Sequence, residues 1–83
     1  MDLNKERERG SRAKAILNDP LFVESIEALR VMYFDAWRNS NAADSSEREH
    51  LFALFNAVDE FEGHLSSVLK TGQMAERQLN QNN

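Results

Sequence analysis

The sequence predicts an all-α chain built around an antiparallel helical hairpin, and three observations carry that expectation. Leu51, Leu54, Val58, Phe61, Leu65 and Val68 follow one another at steps of 3, 4, 3, 4, 3, the apolar spacing of a helix that lies along another helix. Phe22, Ile26, Leu29, Tyr33 and Ala36 repeat the pattern upstream at steps of 4, 3, 4, 3. Between the two seams, Asn39-Ser40-Asn41-Ala42-Ala43 is a loop by composition and short enough to turn the second helix back along the first.

In chain order, residues 3–17 read as a shorter N-terminal helix. Gly10 and Ser11 interrupt it, and Ser11 would suit an N-cap if the helix began there. Residues 1–12 therefore read as a basic, partly mobile arm, and Ala13, Ile16 and Leu17 as a small apolar patch. Asn18-Asp19-Pro20 is the clearest punctuation. Asp19 suits an N-cap and Pro20 the first helical position, where its missing N–H is no loss. Pro20 also drives Asp19 out of the α region and ends the preceding helix.

A second helix runs from Pro20 to about Arg38. Asp44 opens the third, with Glu47 three residues on as in a capping box; Ser46 with Glu49 is a second register. The third helix is expected to end at Lys70 or Thr71, because Gly72 fits the left-handed position past a helix end. That leaves 13–72 as the hairpin domain and 73–83 as a flexible polar tail, although Met74, Ala75 and Leu79 could extend the helix weakly.

At 1.5 Å per residue the second and third helices would be roughly 28 Å and roughly 40 Å long. The stretch around Leu65 and Leu69 then overhangs the hairpin and needs cover, from Ile16 and Leu17 or from another subunit. A chain of 83 residues without cysteine has neither disulfide staple nor thiolate metal site, and small unstapled chains often complete their core by oligomerising. Self-association is therefore expected.

Charge is unevenly spread. Residues 1–14 sum to +2 and residues 15–83 to −6. The acidic body would repel DNA, whose binding calls for a dense basic face. Only Arg7, Arg9, Arg12 and Lys14 offer a nucleic-acid contact, with Glu6 and Glu8 among them. No apolar run approaches a membrane span and the N-terminus lacks the apolar core of a signal peptide. Together these features suggest a cytoplasmic protein.

Aromatic side chains are the leading site candidates. Phe34, Trp37, Phe52 and Phe55 fall off or beside the main seams, near the loop. They form either a local core under the loop or a surface that meets a second copy or another protein; interfaces favour Trp, Tyr, Phe and Met at their centres. Leu65 and Leu69 join them as interface candidates.

The remaining polar motifs point to ordinary helix surface. Glu47 and His50 have the spacing of bundle metal sites, but such a site needs a second copy of the motif and further inward carboxylates. Glu60 and His64 pair at i, i+4 in the same way, and Glu60 is off the seam. Asp59, Glu60 and Glu62 make an acidic turn that is a solvated face unless it docks a basic partner. Ser66 and Ser67 have no base nearby in sequence. No Gly-rich phosphate loop or internal repeat occurs, and no metal, cofactor or catalytic residue is expected.

Ala15-Ile16-Leu17-Asn18-Asp19-Pro20-Leu21-Phe22, Trp37, His64-Leu65 and Thr71-Gly72-Gln73-Met74-Ala75 resemble short helical proteins that tailed bacteriophages encode among their packaging and head genes. The resemblance covers roughly residues 13–79. It implies an oligomeric, non-enzymatic virion-assembly or DNA-packaging component, small-terminase-like or accessory, whose partners are itself and other phage assembly proteins in the host cytoplasm. The helix-turn-helix that precedes the oligomerisation helices of small terminases is missing, so no sequence-specific DNA reading is implied. Two rival functions use other residues: a nucleic-acid-binding or regulatory protein acting through the basic arm, and an inhibitor that covers a host protein with its acidic body.

Overall fold

A computed structural model describes residues 2–81. The chain is all-α, with three helices and no strand among the described residues: α1 (Leu3–Leu17), α2 (Pro20–Arg38) and α3 (Ser45–Gln81). Asp2 caps α1, its carboxylate accepting from the Lys5 backbone N–H at 3.1 Å. Asp44 caps α3 in the same way, accepting from the Glu47 N–H at 3.0 Å. The turn before it is closed by Asn41, whose side-chain oxygen accepts from the Ala43 N–H at 2.9 Å. In both caps the carboxylate satisfies donors that the first helical turn leaves free.

Two expectations about helix ends are corrected. Gly10 and Ser11 do not interrupt α1, which runs unbroken from Leu3, so the arm is helical from Leu3 to Arg12. Gly72 does not end α3. It lies inside the helix, no described residue has a positive φ, and α3 continues through the presumed tail to Gln81. Met1, Asn82 and Asn83 belong to the segments named in those expectations and lie outside the described residues.

The physical reason is a close helix crossing. A Cβ added to Gly72 would lie 2.6 Å from the Gly10 Cα and 2.9 Å from the Glu6 carbonyl oxygen; one added to Gly10 would lie 2.7 Å from the Gly72 Cα. Both glycines are there to let two backbones touch. The seam of α3 accordingly does not stop at Val68 but continues through Gly72 and Ala75 to Leu79, and α1 answers it with Leu3, Gly10, Ala13 and Leu17 at helical spacing. Ala13 and Ala75 are each only 2% exposed, buried because the helices approach so closely.

The chain divides into two compact units. One joins the chain up to Asp19 with the chain from Glu62 onward; the other is Pro20–Phe61. The first is the Gly10–Gly72 crossing just described. In the second, Ile26 and Val58 are buried and the Phe22 and Phe61 rings stand 6.2 Å apart. Arg30 donates to Asp59 Oδ1 from Nε at 2.9 Å and from Nη2 at 2.8 Å. Part of the acidic turn foreseen at residues 59–62 is thus an ion-paired brace between α2 and α3, of small net worth because both partners reach solvent.

Gly63 provides a contrast. It is helical and exposed, and a Cβ there would meet nothing within 4 Å. Gly63→Ala should therefore stabilise the protein by about 1 kcal/mol through helix propensity, raising the melting midpoint seen by circular dichroism. An unchanged or lower midpoint would contradict an open surface at this position.

Candidate functional site

The four off-seam rings do converge. Phe34, Trp37, Phe52 and Phe55 line one groove of about 260 Å3 together with Tyr33 and Leu51. Helix periodicity explains the grouping. Tyr33, Phe34 and Trp37 occupy one flank of α2 at steps of 1 and 3, while Leu51, Phe52 and Phe55 do the same on α3. All six are apolar or aromatic. The Phe34 and Trp37 ring centroids are 6.3 Å apart and tilted by 34°, within the range of favourable aromatic pairs.

Arg48 holds one end of this groove and was not foreseen. Its guanidinium carbon stands 4.3 Å from the Trp37 ring centroid. Its Nη1 donates to the Trp37 carbonyl at 3.3 Å and to the Ser40 hydroxyl oxygen at 3.0 Å, while the Ser40 hydroxyl donates to the same carbonyl at 2.6 Å. A cation thus caps the carbonyl end of α2, where the helix dipole favours it, and stacks on the only tryptophan. A charged residue on a helix surface gives no such signal in sequence; the clue was only its position three residues after Ser45, facing the turn.

Trp37 and Phe55 are half-buried, whereas Phe34 and Phe52 are exposed. Trp37 and Phe55 therefore sit partly beneath the loop, while Phe34 and Phe52 stand open at its edge. Leu65 and Leu69 lie elsewhere. Both are half-buried in the crossing unit, Leu65 lining a shallow groove with Ala13 and Ile16 and the Leu69 carbonyl lying 3.3 Å from a Cβ built on Gly10. Helix α1 packs against this part of α3.

The basic side chains do not form one patch. Arg9 and Arg12 line the groove with His64, while Arg7 and Lys14 line the opposite groove with Asp2, Glu8 and Glu76. Arg9 lies 3.8 Å from Glu6, and Arg7 donates to the Asn4 side-chain oxygen at 3.3 Å. The α1 seam separates the two pairs, and each has carboxylates or an amide beside it.

No protein family, curated protein or solved structure matches the chain. Among the described residues no three His, Asp or Glu side chains gather as metal ligands, and no helix is long and apolar enough to cross a membrane. The aromatic groove is the part of the molecule where side chains of distinctive chemistry converge.

Proposed function

We propose that this protein is a non-enzymatic, homo-oligomeric docking module whose α2–α3 hairpin presents an aromatic groove to other protein surfaces. The carrying observation is the groove of Tyr33, Phe34, Trp37, Leu51, Phe52 and Phe55, open at two exposed phenylalanines. The shortage of core supports it. Ala13, Ile26, Val58 and Ala75 are the buried hydrophobic residues, while Ile16, Leu21, Val23, Val31, Met32, Phe34, Phe52, Phe61 and Met74 stay 42–69% exposed.

The resemblance of residues 15–22, 64–65 and 71–75 to phage packaging and head-region proteins supplies the setting: a virion-assembly or DNA-packaging component, small-terminase-like or accessory, that docks itself and other assembly proteins in the host cytoplasm. Direct nucleic-acid contact is weak or absent in this reading, because Arg7, Arg9, Arg12 and Lys14 are split between two grooves.

Sedimentation at micromolar concentration tests the proposal. The wild-type chain is expected to be an oligomer, and Phe52→Ser to weaken association at least tenfold, about 1.4 kcal/mol, while leaving helicity unchanged. A wild-type chain that remains monomeric at tens of micromolar would overturn it.

A further inference from the structure

The charges that border the aromatic groove are unequally satisfied. One turn beyond Phe34 and Phe55, Arg30 and Asp59 neutralise each other. At the loop end, Arg48 meets no carboxylate. Its Nη1 is spent on the Trp37 carbonyl and the Ser40 hydroxyl, and its plane on the indole. Its Nε and Nη2 have no partner among the described residues. No side-chain nitrogen there is both buried and unpaired, so this edge of the half-buried guanidinium opens to the surface. Nε and Nη2 are the parallel donors with which an arginine grips a carboxylate bidentately.

The neighbouring charges leave that end of the groove positive. Arg30, Arg38 and Arg48 are the Arg and Lys side chains of Pro20–Phe61, and all three border the groove: Arg38 follows Phe34 by four residues and Arg48 precedes Phe52 by four. Glu49, three residues before Phe52, is the carboxylate beside the loop end. Asp44 is occupied in capping α3. At roughly 100° per residue, Asp35, Glu47 and His50 fall away from the groove flanks, and Glu27 lies on the α2 flank nearly two turns before Phe34. Two cations therefore stand against one anion where the groove meets the loop.

We infer that the occupant of the groove is an acidic amphipathic helix of a partner protein. Its apolar side chains enter between the exposed Phe34 and Phe52 rings, and one Asp or Glu seats on the Nε and Nη2 edge of Arg48. This rests on the docking reading above and names the chemistry of what docks. A groove of about 260 Å3 lined by apolar and aromatic side chains from two helices takes a few side chains of a third helix laid along it, the mode in which anchors recur at i, i+3, i+4 and i+7. Arg48 is already held by the indole and two oxygens, so pairing costs it little further freedom. A carboxylate brought there meets a fixed fork beside apolar walls, where a charge-assisted bond is strongest.

Selection of a random peptide library on the full wild-type chain tests this. Enriched peptides should carry apolar residues at helical spacing with an Asp or Glu beside them. A synthetic copy of one such peptide, lacking tryptophan, is then titrated against the chain and followed by the emission of Trp37, the only tryptophan. Replacing the acid of the peptide by its amide should weaken binding at least about tenfold. Arg48→Lys, with native helicity shown by circular dichroism, should weaken it similarly and make the acid-to-amide change nearly silent. If that variant loses helicity, the peptide-side change decides alone, since it leaves the protein untouched. Enrichment of basic or proline-rich peptides, or binding indifferent to the amide, would overturn the acidic helix. No enrichment, with the wild type sedimenting as an oligomer, would also overturn it and leave self-association standing. Acidic peptides that bind through Arg48 to a monomeric chain would uphold it and overturn the homo-oligomer instead.

Discussion

Gly72→Leu is expected to unseat α1 from α3 and to lower stability by about 3 kcal/mol, the upper range for overpacking a close contact. A Cβ at position 72 would meet backbone, the Gly10 Cα at 2.6 Å and the Glu6 carbonyl oxygen at 2.9 Å, and backbone cannot swing aside as the end of a side chain can. The helices must separate, which opens the site where Ala13 and Ala75 are each 2% exposed. Gly72→Ala sharpens the test because two effects oppose. Alanine gains about 1 kcal/mol of helix propensity, but the same clash remains, so the net change should still be destabilising. Gly63→Ala, on the same helix with open space around it, should change stability in the opposite direction. Urea unfolding of the three variants measures this. Limited trypsin digestion adds a local readout, since Lys5, Arg7, Arg9, Arg12 and Lys14 lie in α1 and become cleavable when it detaches. If Gly72→Ala proves as stabilising as Gly63→Ala, the close crossing is wrong.

The same residue shows where the sequence was legible and where it was not. Pro20 and Arg38 bound α2 as expected, because an Asp-Pro start and an Asn-Ser-Asn loop act through local chemistry that any window of the chain reveals. Gly72 has two physical uses, a left-handed cap and a contact point for another backbone, and its neighbours in sequence fit either. Lys70 before it and a Gln-rich stretch after it favour the cap. The decision belongs to Gly10, 62 residues earlier, and only by laying Leu3, Gly10, Ala13 and Leu17 beside Leu65, Gly72, Ala75 and Leu79 does a seam of small residues emerge. The rings of the groove were legible for the opposite reason. Phe34, Trp37, Phe52 and Phe55 break the seam pattern and so declare themselves, whereas Tyr33 and Leu51, which also line the groove, were hidden within the seams. The three-way contact of Arg48, Ser40 and Trp37 depends on the loop's conformation, which composition alone does not fix.

Trp37→Ala is expected to lower the stability of the protein by about 2–3 kcal/mol, less than the 3–5 kcal/mol of a fully buried ring because Trp37 is half-buried. The change removes the aromatic contact with Phe34 and leaves the Arg48 guanidinium without its ring, an interaction worth about 0.5–2 kcal/mol. The sequence groups Trp37 with Phe34, either in a local core under the loop or on a contact surface. The structure separates them: Trp37→Ala should destabilise the chain even at concentrations where it is monomeric, while Phe34→Ala should act chiefly on association. Arg48→Ala should destabilise by about 1–2 kcal/mol through the lost cap and stacking, and Arg48→Lys should recover little, since an ammonium cannot lie flat on the indole while bonding two oxygens. A double-mutant cycle between positions 37 and 48, read by urea unfolding, should give a coupling of about 1 kcal/mol. Trp37 is the only tryptophan, so its emission in the Arg48 variants reports directly whether the ring becomes more exposed. Additive effects, with no change in that emission, would show that the guanidinium does not hold the ring, and the groove would then be built by Phe34, Phe52 and Phe55 around an unbraced tryptophan.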